Sequence, residues 1–358
     1  MDATTAEQIR LHARAIAKLL YQETEATAPQ SLETFSGIEV AVRDHLLEYI
    51  GPEIGEFFVK SASERKSGRS RTLKSIIGDI EITTASAREL GVQAHSRLSP
   101  ILTNCCLLLS ANESYERAEE DIRVLTGRSV SHSTQQRLVH RQAIGLTPAT
   151  KTVEELSVDG GRIRVRTPKG KACEWRDYKA VKLHEQSIGA SYKDNKVLID
   201  WVNQQPLASR LVCLGDGHDG VWNLIAEIGD ETQRREILDW YHLMENWAKL
   251  ESRSDTMYEV QDLLWEGMLK PAIAQLEQSS EARAPTFIAY LRKHQKRIVD
   301  YEYLQFTGVS IGSGAVESGI KQIANRVKLT GAQWKVENVP QVLRQRCAYL
   351  NGEFSTVD

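Results

Sequence analysis

At 358 residues the chain is long enough to bury a sizeable core and to form two or three domains. Its 41% hydrophobic and 26% charged composition excludes a disordered chain and a coiled coil. The formal net charge of -3 argues against a wholly basic nucleic-acid binder, although phosphate contacts need only a local basic face.

Two stretches could supply such a face, and each also reads as solvated surface. They are Lys60, Arg65, Lys66, Arg69, Arg71 and Lys74, and then Lys321, Arg326, Lys328, Lys335, Arg344 and Arg346. The five cysteines, at 105, 106, 173, 213 and 347, form no C-x-x-C pair, which argues against a disulfide scaffold or a structural zinc site. Cys105 and Cys106 lie in the apolar run 101–109 and read as small buried hydrophobes. The N-terminal residues lack the basic and apolar regions of a signal peptide, and no apolar stretch approaches the ~20 residues of a membrane span. A reducing cytoplasm is the expected location, with no membrane partner.

Residues 1–60 carry apolar positions at helical spacing, such as Ile9, Ala13, Ile16 and Leu20. Residues 61–72 are polar and basic, a linker or an exposed arm. Residues 73–77 and 80–84 then read as a hairpin around Gly78-Asp79, which makes 61–97 one region. Residues 98–147 read as three short helices. Pro100 opens the first, Gly127 ends the second, and Ser133 with Gln136 makes a capping box for the third. That third helix carries Arg137 and Arg141. It is either the reading helix of a helix-turn-helix or a surface helix in a bundle.

After Pro148 the pattern changes to strands. Residues 156–158 run into Asp159-Gly160-Gly161, and Ile163 and Val165 then alternate with Arg162, Arg164 and Arg166. Residues 173–183 return as a third strand. Residues 211–214 form a fourth, buried strand ending at Gly215-Asp216-Gly217. A helix over 221–228 precedes a fifth strand ending near Asp239. Residues 243–304 are helical in pattern, with Leu263, Leu264, Trp265, Leu269, Ile273 and Leu276 as core candidates. Gly312-Ser313-Gly314 breaks the chain before a helix over 315–329.

The acids Asp159, Asp216 and Glu317 stand at the ends of these elements. Asp-Gly taken singly is foremost a turn signal, and a first-turn Glu is favoured by the helix dipole. In combination they fit an α/β fold with a mixed five-stranded RNase H-like sheet, in which the first and fourth strands lie side by side. Three converging carboxylates stay ionised only beside a compensating cation, and hard Mg²⁺ or Mn²⁺ suits oxygen ligands. On the glutamate helix, Val316, Ile320, Ile323 and Val327 form an apolar stripe, and Glu317, Lys321, Ala324 and Lys328 form its neighbour. Ser313 is a candidate N-cap. Asp216-Gly217-His218-Asp219 resembles a local metal cluster, but no second His-rich motif accompanies it, so His218 is placed beside the site. Trp175 and Trp334 are read first as core residues, with base stacking as the alternative.

These residues carry a family resemblance. SVDGG at 157–161, TPKGKACEWRDYKAVKL at 167–183, LGDGHDGVWN at 214–223, ILDWYHLMEN at 237–246 and IGSGAVESGIKQI at 311–323 resemble the ISKra-type insertion-sequence transposases of the Mutator-like DDE group. GAQW at 331–334 and VLRQRCAYLNG at 342–352 extend the likeness over roughly residues 70–350.

The resemblance implies catalytic and metal-binding roles for Asp159, Asp216 and Glu317, with two Mg²⁺ or Mn²⁺ ions per site. It makes Asp239 and His242 auxiliary: Asp239 near the metals without being essential, and His242 positioning DNA or the fifth strand. It further implies a catalytic domain over 148–242 and 305–352, interrupted by a helical insertion over 243–304. DNA contacts would fall to Arg162, Arg164, Lys321, Lys328, Trp334, Arg137 and Arg141. The partners would be double-stranded DNA, as terminal inverted repeats and target, and a second copy of the chain in a dimer or higher oligomer at the nucleoid. Many relatives carry Cys pairs in their N-terminal part, whereas residues 84–98 here hold none, so DNA-end recognition would rest on helices and a basic arm. The competing expectations are an RNase H-like nuclease without strand transfer, an inactive DNA-binding relic, and a non-enzymatic helical scaffold.

Overall fold

In a computed structural model the described residues are 2–65, 67–250 and 255–354, so Lys66 of the basic arm and residues 251–254 of the expected helical stretch lie outside them. The chain divides into two compact units, one ending at Leu138 and the other beginning at Val139. The division falls inside a single helix.

The first unit opens with α1 (Ala3–Thr27), α2 (Phe35–His45) and α3 (Gly51–Ala62), with a π-helical turn over Leu46–Ile50 before α3. Asp2 starts α1 by accepting the Thr5 amide at 2.8 Å. The hairpin is real, but its register differs from the one expected. β1 (Ser70–Ser75) pairs with β2 (Gly78–Thr83), and the turn is Ser75-Ile76-Ile77-Gly78 rather than one centred on Gly78-Asp79. Gly78 at φ 122 ends the turn, and its Cβ-free face lets Pro52 approach closely.

Then come α4 (Thr84–Glu89), α5 (Pro100–Ser110), α6 (Tyr115–Thr126) and α7 (His132–Arg141). Ser99 and Ser114 cap α5 and α6, and Gly127 ends α6 in the left-handed region. The capping box at Ser133 does not form. The Ser131 carbonyl already accepts from the Thr134 and Gln135 amides, so the helix starts earlier, and Gln135 rather than Gln136 is buried. Cys106 is buried as expected and Cys105 only partly so; all five cysteines are free thiols.

The second unit contains a mixed α/β core. Its strands are β3 (Val153–Val165), β4 (Glu174–Leu183), β5 (Ile188–Ser191), β6 (Leu207–Gly215) and β7 (Arg234–Leu238). They lie in the order β5-β4-β3-β6-β7, with β3–β6 and β6–β7 parallel and the remaining pairs antiparallel. The segments read separately as 156–158 and 163–165 are one continuous strand, so Asp159 stands mid-strand opposite Ala180 and not in a turn. Gly161 permits this. A Cβ there would lie 2.2 Å from the Tyr178 ring, which crosses the strand at that point. The edge strand β5 and the helix α8 (Asn195–Asn203) were not anticipated.

Helix α9 (Asp219–Ile225) links β6 to β7. After β7 come α10 (Trp240–Ala248), α11 (Asp255–Trp265), α12 (Leu269–Gln278), α13 (Ala284–Lys293) and α14 (Tyr301–Phe306). Helices α15 (Gly314–Val327) and α16 (Val339–Leu350) close the unit. Alternation along β3 splits the core. Leu156 and Val158 face a cluster shared with α8, α9 and the helices α10–α14, in which Leu264 and Leu276 are buried. Ile163 and Val165 face a second cluster with Val316, Ile323 and Val327 of α15 and Val342 and Leu343 of α16. The apolar stripe expected on the glutamate helix therefore docks it on the sheet. No helix among the described residues is long and apolar enough to cross a membrane.

Candidate active site

The site grows from one row of the sheet. Val158 is in register with Gly215, and Gly215 with Leu238, across the three parallel neighbours β3, β6 and β7. The next residue of each strand is an aspartate: Asp159, Asp216 and Asp239. Neighbouring strands lie roughly 4.8 Å apart, so the three aspartates follow adjacent strand positions near the carboxyl ends of β6 and β7. The Asp239 amide donates to the Gly215 carbonyl at 2.9 Å, which carries the pairing past the end of β7. Alternation turns Asp159 toward the face that α15 covers. That helix supplies Glu317 from its first turn.

Asp239 is fully buried. It caps α10 by accepting the His242 amide at 2.8 Å. Its other oxygen takes the Ser313 hydroxyl at 2.6 Å and the Ser313 amide. Burial alone would push its carboxyl upward; the contacts from His242 and Ser313 outweigh it and hold the group below the usual carboxylate range. Gly312, before Ser313, is needed for this approach, since a Cβ there would meet the Tyr241 ring at 2.7 Å. Ser313 begins α15 without capping it through its side chain. Its hydroxyl instead lies between Asp239 and Glu317, 3.2 Å from the latter.

His242 Nδ1 stands 3.4 Å from Asp239 and 3.9 Å from Glu317. Contact with Asp239 pushes the imidazole up to about 9, against burial. That contact favours the cationic form of the side chain. Asp239, His242 and Glu317 each offer one ligand atom, and these atoms lie within 4.8 Å of one another. Asp159 is half-buried and its carboxyl is raised, first by burial and then by Asp216, while the Gly160 amide, His242 and Lys179 oppose the rise. Asp216 accepts the His218 amide at 2.9 Å, which fixes the turn after β6.

The sequence-predicted residues fare differently. Asp159 and Asp216 follow in-register residues of β3 and β6, and among the described residues no donor set within 4.8 Å joins both to Glu317. The closest donor set, however, joins Glu317 to Asp239 and His242, the pair expected to be auxiliary. His218 is exposed and caps α9 through Nδ1, which accepts the Gly220 amide at 3.0 Å, so it stands outside that set. Arg162 is exposed with Asp177 at 3.3 Å, and Arg164 is half-buried against Cys173. Lys321 and Lys328 are exposed on the Glu317 stripe, and Arg137 and Arg141 are exposed on α7.

Trp334 is partly buried against the second cluster. Its backbone pairs with Arg164 and Arg166, its indole N–H donates to the Val327 carbonyl at 2.9 Å, and Arg326 covers its ring. Trp175, read first as core, is 43% exposed with the Lys328 ammonium 5.7 Å from its ring centre.

Sequence reasoning missed two contributors. One is Ser313 as the link between carboxylates 78 positions apart in numbering. The other is Tyr290, whose hydroxyl is buried behind Gly217, where a Cβ would lie 2.6 Å from it. Nothing in the local pattern around residue 290 marks it. A search of family models gives no match, and no curated protein matches the chain.

Proposed function

We propose that the protein is a metal-dependent DNA phosphoryl transferase of the DDE transposase type, with an RNase H-like core interrupted by the helices α10–α14. The observation that carries this reading is the row Asp159–Asp216–Asp239 on three adjacent strands, with Glu317 brought to the same end by α15. Uncompensated carboxylates at that spacing repel one another, and oxygen-rich clusters are the preferred ligands of hard divalent cations. Two Mg²⁺ or Mn²⁺ ions, when bound, would lower the pKa of an attacking water or 3′-OH and neutralise the scissile phosphate.

The protein's own contribution is positioning. The strand row holds the aspartates at fixed spacing, and Ser313 fixes Asp239 relative to Glu317. Lys321 and Lys328, on the same helical stripe as Glu317, would take phosphates flanking the cut. Arg162 and Arg166 extend the basic edge along β3. Hydrolysis at an element end and attack of the freed 3′-OH on target DNA both displace oxygen at phosphorus, so one site serves both steps.

In the first unit, Leu11, Leu19, Phe57 and Phe58 are each more than 60% exposed, which supports self-association of the kind needed to pair two DNA ends. The test is purified protein with duplexes carrying the element's terminal repeats and Mg²⁺ or Mn²⁺. Strand-joined products support a transposase. Cut ends alone would reduce the assignment to a nuclease, and binding without cutting to a relic.

A further inference from the structure

The first unit carries a cleft of about 1040 Å³ between β1, α4 and the loop 91–97. Its charged lining is arginine and histidine: Arg69, Arg71, Arg88, His95 and Arg97, with no carboxylate among the lining residues. We infer that this cleft binds the phosphate groups of a nucleic-acid backbone, as a site separate from the carboxylate row. The choice of DNA over RNA rests on the proposed function.

Three separate elements build the site. Arg69 and Arg71 come from β1 and the residue before it, Arg88 from α4, and Arg97 from the loop. The loop is pinned to β1 by the Lys74 amide on the Arg97 carbonyl and by the Ser99 amide on the Lys74 carbonyl, each at 2.9 Å. Arg71 reaches the Gln93 carbonyl at 3.4 Å, which ties the strand to the far wall. The arginines are thus held on a framework.

Their electrostatic state is the second observation. Elsewhere in this unit Arg43 pairs with Asp44, Arg117 with Glu120 and Asp121, and Arg128 with Asp79. Among the described residues no carboxylate pairs with Arg69, Arg71, Arg88 or Arg97. Arg71 Nε is also buried without a hydrogen-bond partner. Four guanidinium groups around one concavity repel each other, and a polyanion relieves that repulsion. Guanidinium forks match phosphate oxygens in pairs, which favours phosphodiesters over isolated carboxylates. The size exceeds what one phosphate fills, and the open shape suits a chain passing through.

The experiment uses the full chain in EDTA, so that no cleavage intervenes. Binding of a fluorescent duplex of arbitrary sequence is followed by anisotropy from about 50 to 200 mM salt. The variant is R69Q/R88Q/R97Q, and the control is R117Q on α6. Three lost phosphate contacts lower the slope of log K against log salt by about 3 and the affinity by about tenfold or more. R117Q leaves both unchanged. Circular dichroism confirms that the variant folds. Unchanged affinity and slope in the folded triple variant overturn the inference. Calorimetry with inorganic pyrophosphate separates the sources. Pyrophosphate binding that the variant abolishes while duplex binding persists would make this a small-anion site and overturn the nucleic-acid assignment. Because binding is read without divalent ions, failure here leaves the cleavage test standing, and failed cleavage leaves this one standing.

Discussion

The hydroxyl of Ser313 lies 2.6 Å from the buried carboxylate of Asp239 and 3.2 Å from Glu317, yet it has one proton to give. The two carboxylates therefore share one donor, with the shorter contact to Asp239. Ser313 thereby ties the buried Asp239 to Glu317 in the first turn of α15.

Ser313→Ala should cost about 1–2 kcal/mol in denaturant unfolding, because Asp239 is fully buried and loses one of its donors. Metal-dependent cleavage should fall roughly tenfold to a hundredfold, the usual effect of removing a group that orients a ligand. Tighter divalent binding in the variant would show that the hydroxyl opposes the site.

The four carboxylates give a comparison that separates geometry from family expectation. Asp159→Asn, Asp216→Asn and Glu317→Gln should each lower Mn²⁺-dependent cleavage at least about a hundredfold while leaving duplex binding in EDTA intact. Asp239→Asn should do the same. The sequence reading puts this residue near the metals without being essential, whereas it belongs to the donor set with His242 and Glu317. Near-normal turnover in Asp239→Asn would return it to a purely structural part.

Asp159 also makes a stability prediction. Burial, with Asp216 beside it, raises its folded pKa, so ionisation is disfavoured in the native state. Native stability is therefore lost as pH rises through that raised value and regained on acidification. In metal-free buffer at pH 7, Asp159→Asn should melt higher than the parent, by a few degrees, and added Mn²⁺ should reverse the ranking. A lower melting temperature without metal would mean that the carboxylate's bond to the Gly160 amide outweighs its burial.

How much of this was legible beforehand depends on the element. The α15 stripe was readable because Val316, Ile323 and Val327 recur at helical spacing and pack on the sheet and α16. Helices α10–α14 were readable for the same reason. Asp159 was misplaced because Asp-Gly-Gly is a turn signal that the Tyr178 ring, on a neighbouring strand, overrides. The edge strand β5 holds Gly189 and Ala190 in four residues and shows no alternation. The contact of Asp239 with Ser313 was not legible because the two are 74 positions apart, and no local pattern encodes it.

Trp334 separates packing from recognition. Trp334→Phe keeps ring bulk but loses the N–H to the Val327 carbonyl, and it weakens the contact with Arg326. The expected result is about 1 kcal/mol of lost stability with duplex affinity unchanged. A selective loss of affinity at full stability would assign the ring to stacking instead.

His242 gives a pH signature. Its folded pKa of about 9 exceeds the ordinary 6.5, chiefly through Asp239. The stabilisation is therefore complete below pH 6.5 and is lost as pH rises through about 9. Its size is at most about 3 kcal/mol. Unfolding measured in EDTA from pH 6 to 10 should show that decline in the parent and not in His242→Gln. A divalent ion entering the cluster must displace the same proton, so the parent's affinity for Mn²⁺ should rise across this interval, while the variant's affinity stays flat over the same range. Equal pH slopes in the two proteins would mean that His242 is already neutral at pH 7 and that its charge does not balance the carboxylates.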